Sequence, residues 1–347
     1  MFLGSRRFAP VGVFTGLALI LLAAALFALL QGPVPISATE AIAAVLPQSS
    51  VEYGQARSII LEIRLPRLLL ALLVGAVLAA CGAAMQGLFR NPLADPSLIG
   101  VTGGASFGAA CVIAMAGSGL PLLADTGLAI VALGAAVGGC VAVILVYRLA
   151  TGEQGTSVAT MLLAGIAISA VAASMTSLIS YFSDNETLRR ISVWQMGNFE
   201  GASWTRVLVM APPAVLIATF VPAKAVHLNA LLLGESEARH LGIDVERLKR
   251  VIVFMVAVGV GTAVAVAGVI AFVGLVVPHV LRMVLGPDHR ALIPASLLGG
   301  AVLLVAADTA ARLAISPAEL PTGIVTSLLG APVFFSLLIR ERRGLPA

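Results

Sequence analysis

Residues 64–90 read RLPRLLLALLVGAVLAACGAAMQGLFR, a long apolar run with arginines at both ends. A helix that crosses a lipid bilayer needs about 20 apolar residues, and this run supplies them. No charged residue interrupts it between Arg67 and Arg90. The stretch therefore predicts a membrane-spanning helix with its charged residues near the two surfaces of the bilayer.

The rest of the chain has the same character. Its 347 residues are 59% hydrophobic and only 11% charged, with a mean hydropathy of +1.05. Water-soluble domains carry about 25% charged residues. Because so few charges could not cover a surface in contact with water, lipid must be the solvent of this protein. We therefore predict one all-α, polytopic, multi-pass membrane domain over residues 1–347.

Apolar runs broken by charged residues, proline or glycine recur along the chain and predict about ten transmembrane helices. The ten runs are 9–30, 66–88, 96–117, 123–148, 158–182, 203–222, 250–269, 271–286, 291–313 and 322–340. The eighth run is short, so nine or eleven spans also fit the pattern. Arg6 and Arg7 precede a first run longer than the ~7–15-residue core of a signal peptide. We expect that run to be retained as a span.

The basic residues give the expected orientation, because lysine and arginine concentrate in the cytoplasmic loops of membrane proteins. With ten spans and a cytoplasmic N-terminus, 14 of the 21 basic residues fall on the cytoplasmic side. The 7 on the opposite side are Arg57, Arg64, Arg67, Arg189, Arg190, Arg206 and Arg312. This twofold asymmetry predicts that both termini lie in the cytoplasm.

Two short patterns bear on the internal arrangement. RLPR at 64–67 and RLKR at 247–250 open spans that run in opposite directions in the predicted topology. Inverted repeats are a recurring plan of transporters, with the pathway at their interface. Two inverted five-helix halves and a chance match both stay open. Glycines four residues apart, at 100, 104 and 108 and at 134 and 138, predict close helix packing, with pore lining as the alternative.

Signatures of enzymes are missing from the sequence. The chain contains no G-x-x-x-x-G-K-[ST] phosphate loop, no H-E-x-x-H and no G-x-S-x-G motif. Its three cysteines and four histidines lack the spacing of metal ligands. We expect the cysteines to be buried small hydrophobes and the histidines to lie at surfaces or interfaces. The sequence therefore predicts no catalytic residue and no metal site.

Of the charged residues in the predicted spans, Asp308 lies furthest from the ends of its span, and Arg312 follows one helical turn further on. Ion-coupled transporters carry charged relays within the membrane, whereas residues four apart on a helix stabilise each other locally. We therefore expect any energy for transport to come from a separate protein. An ion-coupled secondary transporter is the alternative.

The longest segment predicted to lie in the cytoplasm without spanning reads HLNALLLGESEARHLGIDVERLKR, residues 227–250. Gly234 and Gly242 punctuate it, and Asp244 can cap a helix that follows. Two short helices joined at Gly242 would form a charged knob. Such an ordered pattern favours docking of a soluble partner over a plain linker, and residues 228–247 are hereafter the coupling segment.

Five stretches of the chain resemble the iron-siderophore, haem and cobalamin permeases of binding-protein-dependent, ATP-driven importers. They are RLPRLLLALLVGAVLAACGAAMQGLFRNPLADPSLIGVTGGASFGA (64–109), LGESEARHLGI (233–243), GVIAFVGLVVPHVLR (268–282), DHRALIP (288–294) and ELPTGIVTSLLGAPVFFSLLIR (319–340). The resemblance extends over nearly the whole chain and implies a type II ABC importer permease in the inner (cytoplasmic) membrane of a bacterium. It implies a homodimer with the pathway between its subunits, two ATPase subunits below and a periplasmic binding protein above. ATP and magnesium would then bind the ATPase, and this chain would bind no cofactor.

The resemblance also assigns residues. The coupling segment would fit a cleft of the ATPase through Leu233, Gly234, Glu235, Glu237, Ala238, Arg239, Leu241 and Gly242. Arg64, Arg67 and Arg312 match positions that meet acidic residues of the binding protein, and the alternative is pairing within the chain or interfacial anchoring. The fifth span resembles the helix that lines the pathway. Its candidate pathway residues are Thr156, Ser157, Thr160, Ser169, Ser174, Thr176 and Ser177, with a gate at about 155–160.

The segment after the fifth span bears on the substrate. YFSDNETLRRISVWQMGNFEGASW, residues 181–204, resembles haem permeases and shares its tryptophan and Met-Gly pair with siderophore permeases. We expect haem, then a ferric siderophore, then cobalamin. No Tyr, His or Met pair can be placed on one face of the pathway, so the solute would pass without ligation.

Overall fold

The structure is a computed structural model that describes residues 10–45, 54–117, 127–153, 155–316 and 318–342. The described helices, in chain order, are α1 (Pro10–Leu30), α2 (Ala38–Val45), α3 (Gly54–Ser58), α4 (Leu65–Phe89), α5 (Val101–Gly117), α6 (Gly127–Ala150), α7 (Val158–Phe182), α8 (Asn185–Gln195), α9 (Trp204–Ala223), α10 (Ala225–Leu231), α11 (Glu235–His240), α12 (Val245–Ala267), α13 (Val273–Leu285), α14 (His289–Ala314) and α15 (Thr322–Arg342). A π-helical stretch, Ile59–Arg64, joins α3 to α4, and a 3-10 turn, Pro96–Ile99, precedes α5. Strands β1 (Thr151–Gly152) and β2 (Gly155–Thr156) pair antiparallel between α6 and α7.

Each of the ten predicted spans overlaps one helix of the described chain. Seven of these helices are long and apolar enough to cross a bilayer, and Val101–Gly117, Val273–Leu285 and Thr322–Ser336 are shorter apolar helices. The prediction that the eighth span is short is confirmed, since the 13 residues of α13 rise only about 20 Å at about 1.5 Å per residue. The start of the first predicted span and residues 123–126 of the fourth lie outside the described residues.

Helix α4, the helix of the opening stretch, forms the core of the bundle. Nearly all its residues from Pro66 to Phe89 are buried, and it packs against α9, α12, α13 and α14. A helix that is apolar on every side must be enclosed by other helices or by lipid. In α4 the other helices enclose it, because small residues let them approach. A Cβ on Gly75 would overlap the backbone of Gly300, and one on Gly82 would overlap that of Gly274.

The predicted close packing at the glycines is confirmed, and the structure shows that α5 and α6 are the helices that meet there. A Cβ added to Gly104 would meet the carbonyl of Gly138, and one added to Gly108 would meet that of Gly134. These four glycines therefore allow α5 and α6 to touch backbone to backbone, as small residues do where lipid supplies no hydrophobic driving force. Pairing within the protein, rather than pore lining, accounts for this spacing.

Helices α4 and α14 run antiparallel and define two ends of the bundle. Arg67 contacts Asp308 at one end, and Gly87 packs against His289 at the other. The 20 residues between positions 67 and 87 rise about 30 Å, which matches the thickness of the hydrocarbon core, about 30 Å. We name the first the arginine end. The second is the coupling end, because Asn229 of the coupling segment donates to Asp288 there at 2.6 Å.

Helix α13 begins inside the bundle. The residue before it, Phe272, has a φ of 68°, and Gly274 lies against the carbonyl of Leu78, midway along α4. Irregular backbone at membrane depth is tolerated only where protein or a water-filled cavity surrounds it. The break between α12 and α13 is covered in this way by α4 and by Pro96.

Candidate functional site

Within the coupling segment, a short helix, α11, lies between α10 and α12. Gly234, with a φ of 129°, precedes α11, and Gly242, with a φ of 81°, follows it. Glu235 and Glu237 lie in the first turn of α11 and Arg239 in the last, which complements the helix dipole. The predicted short helix after Gly234 is therefore confirmed.

The second short helix of that prediction was wrong. Asp244 accepts the backbone N–H of Arg247 at 2.9 Å and caps a helix, as expected. This helix is α12, which continues without a break to Ala267. The sequence from Val245 to Arg250 contains no glycine or proline that would end a helix, so the span simply extends beyond its apolar run.

The surface of α11 offers apolar side chains to a partner. Leu233 and Leu241, on either side of the helix, are 68% and 64% exposed, whereas Ala238 is buried against the bundle. The segment is thus anchored on one side and open on the other.

Beneath α11 lies the ammonium group of Lys249, whose side chain is only 2% exposed. It donates three hydrogen bonds, to the carbonyl of Thr156 at 2.7 Å, to Glu235 Oε2 at 2.9 Å and to Glu246 Oε1 at 3.2 Å. An ammonium group has three donors, so every one is satisfied. Lys249 thereby joins the coupling segment to the residue at which the gate was predicted.

Thr156 is held by its backbone from two sides. Its N–H donates to Glu246 Oε2 at 2.9 Å, while its carbonyl accepts from Lys249. Gly155 has a φ of 101°, and a Cβ there would lie 2.8 Å from Glu246 Oε1. Only glycine fits this position without strain, because an L-residue is disfavoured at such a φ and would also crowd the carboxylate.

The candidate pathway residues separate into two groups on α7. Ser157, Thr160, Ser174 and Ser177 are exposed, whereas Thr156 and Thr176 are buried and Ser169 is half-buried against Gly103. Ser157 also caps α7, because its hydroxyl accepts the N–H of Thr160 at 3.2 Å. A cavity of about 570 Å³ near α8 is lined in part by charged and aromatic residues of the 181–204 segment, including Arg189, Arg190 and Trp194.

At the arginine end, Arg67 forms a buried ion-pair cluster. Its guanidinium group donates to Asp308 at 2.9 to 3.2 Å and to Glu319 at 2.7 Å. Asp308 also lies 3.3 Å from Arg312 Nε, which confirms the expected pair of residues four apart. The sequence did not indicate that Arg67 completes this cluster.

Arg64 and Arg312 bind the carboxyl-terminal end of α1. Arg64 donates to the carbonyls of Leu29 and Leu30 at 2.6 and 2.8 Å and to that of Val34. Arg312 donates to the carbonyls of Ala28 and Gln31 at 3.3 and 3.1 Å. The last carbonyls of a helix lack partners within it, so two buried arginines satisfy them. All three arginines thus have partners within the chain, and their contact with a binding protein stays a prediction.

The histidines differ from their prediction in part. His279 and His289 are buried, because α13 and the start of α14 pack inside the coupling end. The side chain and N–H of His289 contact Oδ1 of Asn229 at 2.8 and 2.9 Å. The backbone N–H of Arg290, assisted by Asn229, holds the pKa of Asp288 below its usual range. Within the described residues, no three His, Cys, Asp or Glu side chains are grouped to hold a metal ion.

Lys249 is a residue of the candidate site that the sequence did not single out. In the sequence it is one member of the basic motif at 247–250 and one of only two lysines. Its burial depends on a hairpin and a helix from elsewhere in the chain, so spacing alone gave no signal.

Comparison with known proteins places these features in a family. Residues 20–340 match the FecCD transport family. The chain is 45% identical over 282 residues to the hemin transport system permease protein HmuU of Yersinia pestis, covering 81% of this chain and 83% of that protein. It is 42% identical over 287 residues to the cobalamin import system permease protein BtuC of Halobacterium salinarum, covering 83% and 74%. A solved structure of an inward-facing "metal-chelate type ABC transporter" aligns with a TM-score of 0.83 at 33% identity, covering 96% of this chain and all of that one.

Proposed function

This chain belongs to the FecCD transport family, and on that premise we propose that it is the permease subunit of an ATP-driven importer. It would carry an iron chelate, with haem first, from the periplasm to the cytoplasm. The observation that supports the proposal most is α11, a short helix with an exposed leucine on either side, at the same end as the β1–β2 hairpin and the gate predicted at about 155–160. A permease driven by a separate ATPase needs such an element.

We propose the following assembly. Two copies of the chain pair with their α7 helices about the pathway, since α7 leaves most of its surface uncovered in a single chain. Two ATPase subunits bind the coupling segments, and both termini lie on that side of the membrane. A periplasmic binding protein docks at the arginine end. Ten spans in two inverted halves complete this arrangement.

Alternating access would then follow from movement of the ATPase subunits. ATP and magnesium bind there, and this chain contributes no catalytic group. The exposed hydroxyls of Thr160, Ser174 and Ser177 give the pathway a weakly polar surface without charge. Such a surface lets a bulky solute pass without trapping it, because it offers neither a metal ligand nor a fixed counter-charge.

Haem is supported by the 181–204 segment and by the 45% identity to the hemin permease. Cobalamin is the nearest alternative, since its permease is 42% identical, and a ferric siderophore is the other.

Reconstitution into liposomes with the ATPase subunits and the binding protein tests the proposal. Haem-loaded binding protein should stimulate ATP hydrolysis and haem uptake, whereas cobalamin and a ferric siderophore should do so less. Stimulation by one of those two alone would replace haem as the substrate and leave the importer intact. Uptake driven by a proton gradient without ATP would overturn the importer itself.

A further inference from the structure

The coupling end contains one buried charge that local stability does not explain. Transferring an ammonium group out of water costs several kcal/mol unless it is fully paired, and an apolar side chain of similar size often serves a helix as well or better. At Lys249 the side chain is buried and all three donors are used. A lysine at this position provides three directional hydrogen bonds, which a methionine could not.

Those links reach three separate elements. Glu235 opens α11, Glu246 lies in the first turn of α12, and Thr156 ends β2 immediately before α7. Glu235 and Glu246 therefore belong to the coupling segment, Glu246 on the same helix as Lys249, and Thr156 belongs to the predicted gate. Lys249 contacts all of them within 3.2 Å.

We propose that Lys249 is a positioning residue that transmits movement of the coupling segment to the gate. The inference rests on the proposed function, because it takes α11 as the element that the ATPase moves. A shift of α11 displaces the Glu235 carboxylate. The ammonium group follows it, because separation would leave a charge that is 98% enclosed with only one of its two carboxylate partners.

The movement then reaches the backbone of the gate rather than a side chain. Lys249 holds the Thr156 carbonyl at 2.7 Å, while Glu246 holds the Thr156 N–H at 2.9 Å. Gly155 fits closely against that carboxylate. Helix α12 therefore holds the hairpin through Lys249 and Glu246, and α11 acts on it through its contact with Lys249. Helix α7 begins two residues after Thr156.

Arg239 adds charge to this cluster without extending the link. Its guanidinium group lies 3.9 Å from both Glu235 and Glu246 and is more than half exposed. It contacts the two carboxylates from the water side, and no hydrogen bond between Arg239 and Thr156 occurs among the described residues. Transmission is therefore assigned to Lys249 and Glu235.

The test uses the complete complex in liposomes and compares Lys249→Met, Glu235→Gln and Glu153→Gln. Lys249→Met should lower uptake per ATP hydrolysed by about tenfold, the factor that corresponds to about 1.4 kcal/mol, with ATP hydrolysis retained. Glu235→Gln removes the negative charge of the contact with α11 and weakens that hydrogen bond, so it should act in the same direction. Glu153 is an exposed carboxylate of the same hairpin, so Glu153→Gln is the matched control and should transport normally.

A second readout separates transmission from simple stability. Thr160→Cys, in a chain whose Cys81, Cys111 and Cys140 are replaced by alanine, reports exposure at the start of α7 by its rate of alkylation. ATP should change that rate when Lys249 is present and should leave it unchanged in Lys249→Met. An unaltered ATP response in Lys249→Met and Glu235→Gln would overturn the inference.

These experiments distinguish an error in the proposed function from an error in the role of Lys249. If the unsubstituted complex neither imports nor responds to ATP, the proposed function is wrong. If it does both, and the Lys249 and Glu235 variants do so equally, only the link is wrong. Should Lys249→Met fail to assemble, Glu235→Gln decides, because it keeps the contacts of Lys249 with Thr156 and Glu246.

Discussion

The arginine end and the coupling end both bury charge, but they connect different kinds of structure. At the arginine end, Arg64, Arg67 and Arg312 join the long helices α1, α4 and α14 through internal acceptors. At the coupling end, Lys249 joins a six-residue helix to a two-stranded hairpin across the first turn of α12. The first cluster ties long helices of the bundle to one another, whereas the second ties two small elements to it.

This difference distinguishes a cluster that stabilises the fold from one that can transmit movement between elements. Long helices with large buried faces move as rigid bodies, so a charge cluster between them fixes their arrangement. Small elements with few buried apolar contacts open at low free energy. A buried charge between such elements can change their mutual positions without unfolding the bundle, and we expect substitutions at the two ends to separate in this way.

The largest effect is expected for Asp308→Asn at the arginine end. Asp308 contacts both Arg67 and Arg312 and accepts from Thr322 at 3.1 Å. Removing one partner of a buried ion pair leaves its charge uncompensated, which costs about 3–5 kcal/mol. The free energy of unfolding in mixed detergent should fall by that amount.

Glu319→Gln is the matched control for this prediction. Glu319 also pairs with Arg67, at 2.7 Å, but its side chain is 28% exposed. Water can replace part of that interaction, so the loss should be about 1 kcal/mol or less. Equal losses for the two variants would show that burial does not govern the cluster.

The sequence predicted the helices well because apolar length is a local property. Each of the ten apolar runs overlaps one described helix, and the glycines of α5 and α6 predicted close packing but not which helices meet. The extension of α12 to Val245 was missed because charged residues at 246–250 resemble a loop when hydropathy alone is considered. Whether the helix continues depends on caps and breakers, and Asp244 supplies the cap.

The site was predictable only where its parts are contiguous. α11 has its glycines, acids and bases within ten residues, so its pattern was visible. The contact of Lys249 with Thr156 joins residues 93 positions apart, and that of Arg67 with Asp308 joins residues 241 apart. Such pairs depend on how helices pack, which a single sequence does not encode in its spacing.

Arg64→Gln should have the next largest effect and would sharpen the role of the arginine end. The variant loses charge-assisted hydrogen bonds to the carbonyls at the end of α1, at about 1.5–3 kcal/mol for bonds to a charged group. Unfolding should begin at a lower fraction of denaturing detergent in the mixed micelles. Titration of the loaded binding protein onto the folded variant measures docking separately, and unchanged affinity would remove Arg64 from that interface.

Gly155→Ala should have a smaller effect on stability and a larger one on the gate. An alanine there adopts an unfavourable φ and crowds Glu246, a local strain of about 1–3 kcal/mol. Because the hairpin is small, we expect it to shift rather than unfold the bundle. Alkylation of Thr160→Cys should change while the unfolding midpoint stays close to that of the parent.

Gly152→Ala, in the other strand of the same hairpin, is the control for Gly155→Ala. A Cβ at Gly152 meets nothing within 4 Å, so alkylation and uptake should be unaffected. An equal change in the alkylation rate of both variants would mean that the hairpin responds to any substitution. The contacts of Glu246 and Lys249 with Thr156 would then not explain the effect.

The smallest effect on stability is expected for Arg239→Gln, and it is the sharpest contrast with the arginine end. Arg239 and Arg312 each lie four residues from an acidic partner on their own helix, yet Arg239 is 56% exposed at 3.9 Å whereas Arg312 is buried at 3.3 Å. Exposed pairs contribute about 0.2–1 kcal/mol and are screened by salt. Arg239→Gln should therefore leave the unfolding midpoint nearly unchanged at high ionic strength, whereas Arg312→Gln should lower it at any salt concentration. If the two variants lost equal stability, the coupling end would be as rigid as the arginine end. Lys249 would then stabilise the fold in the same way as the buried arginines and would not transmit movement.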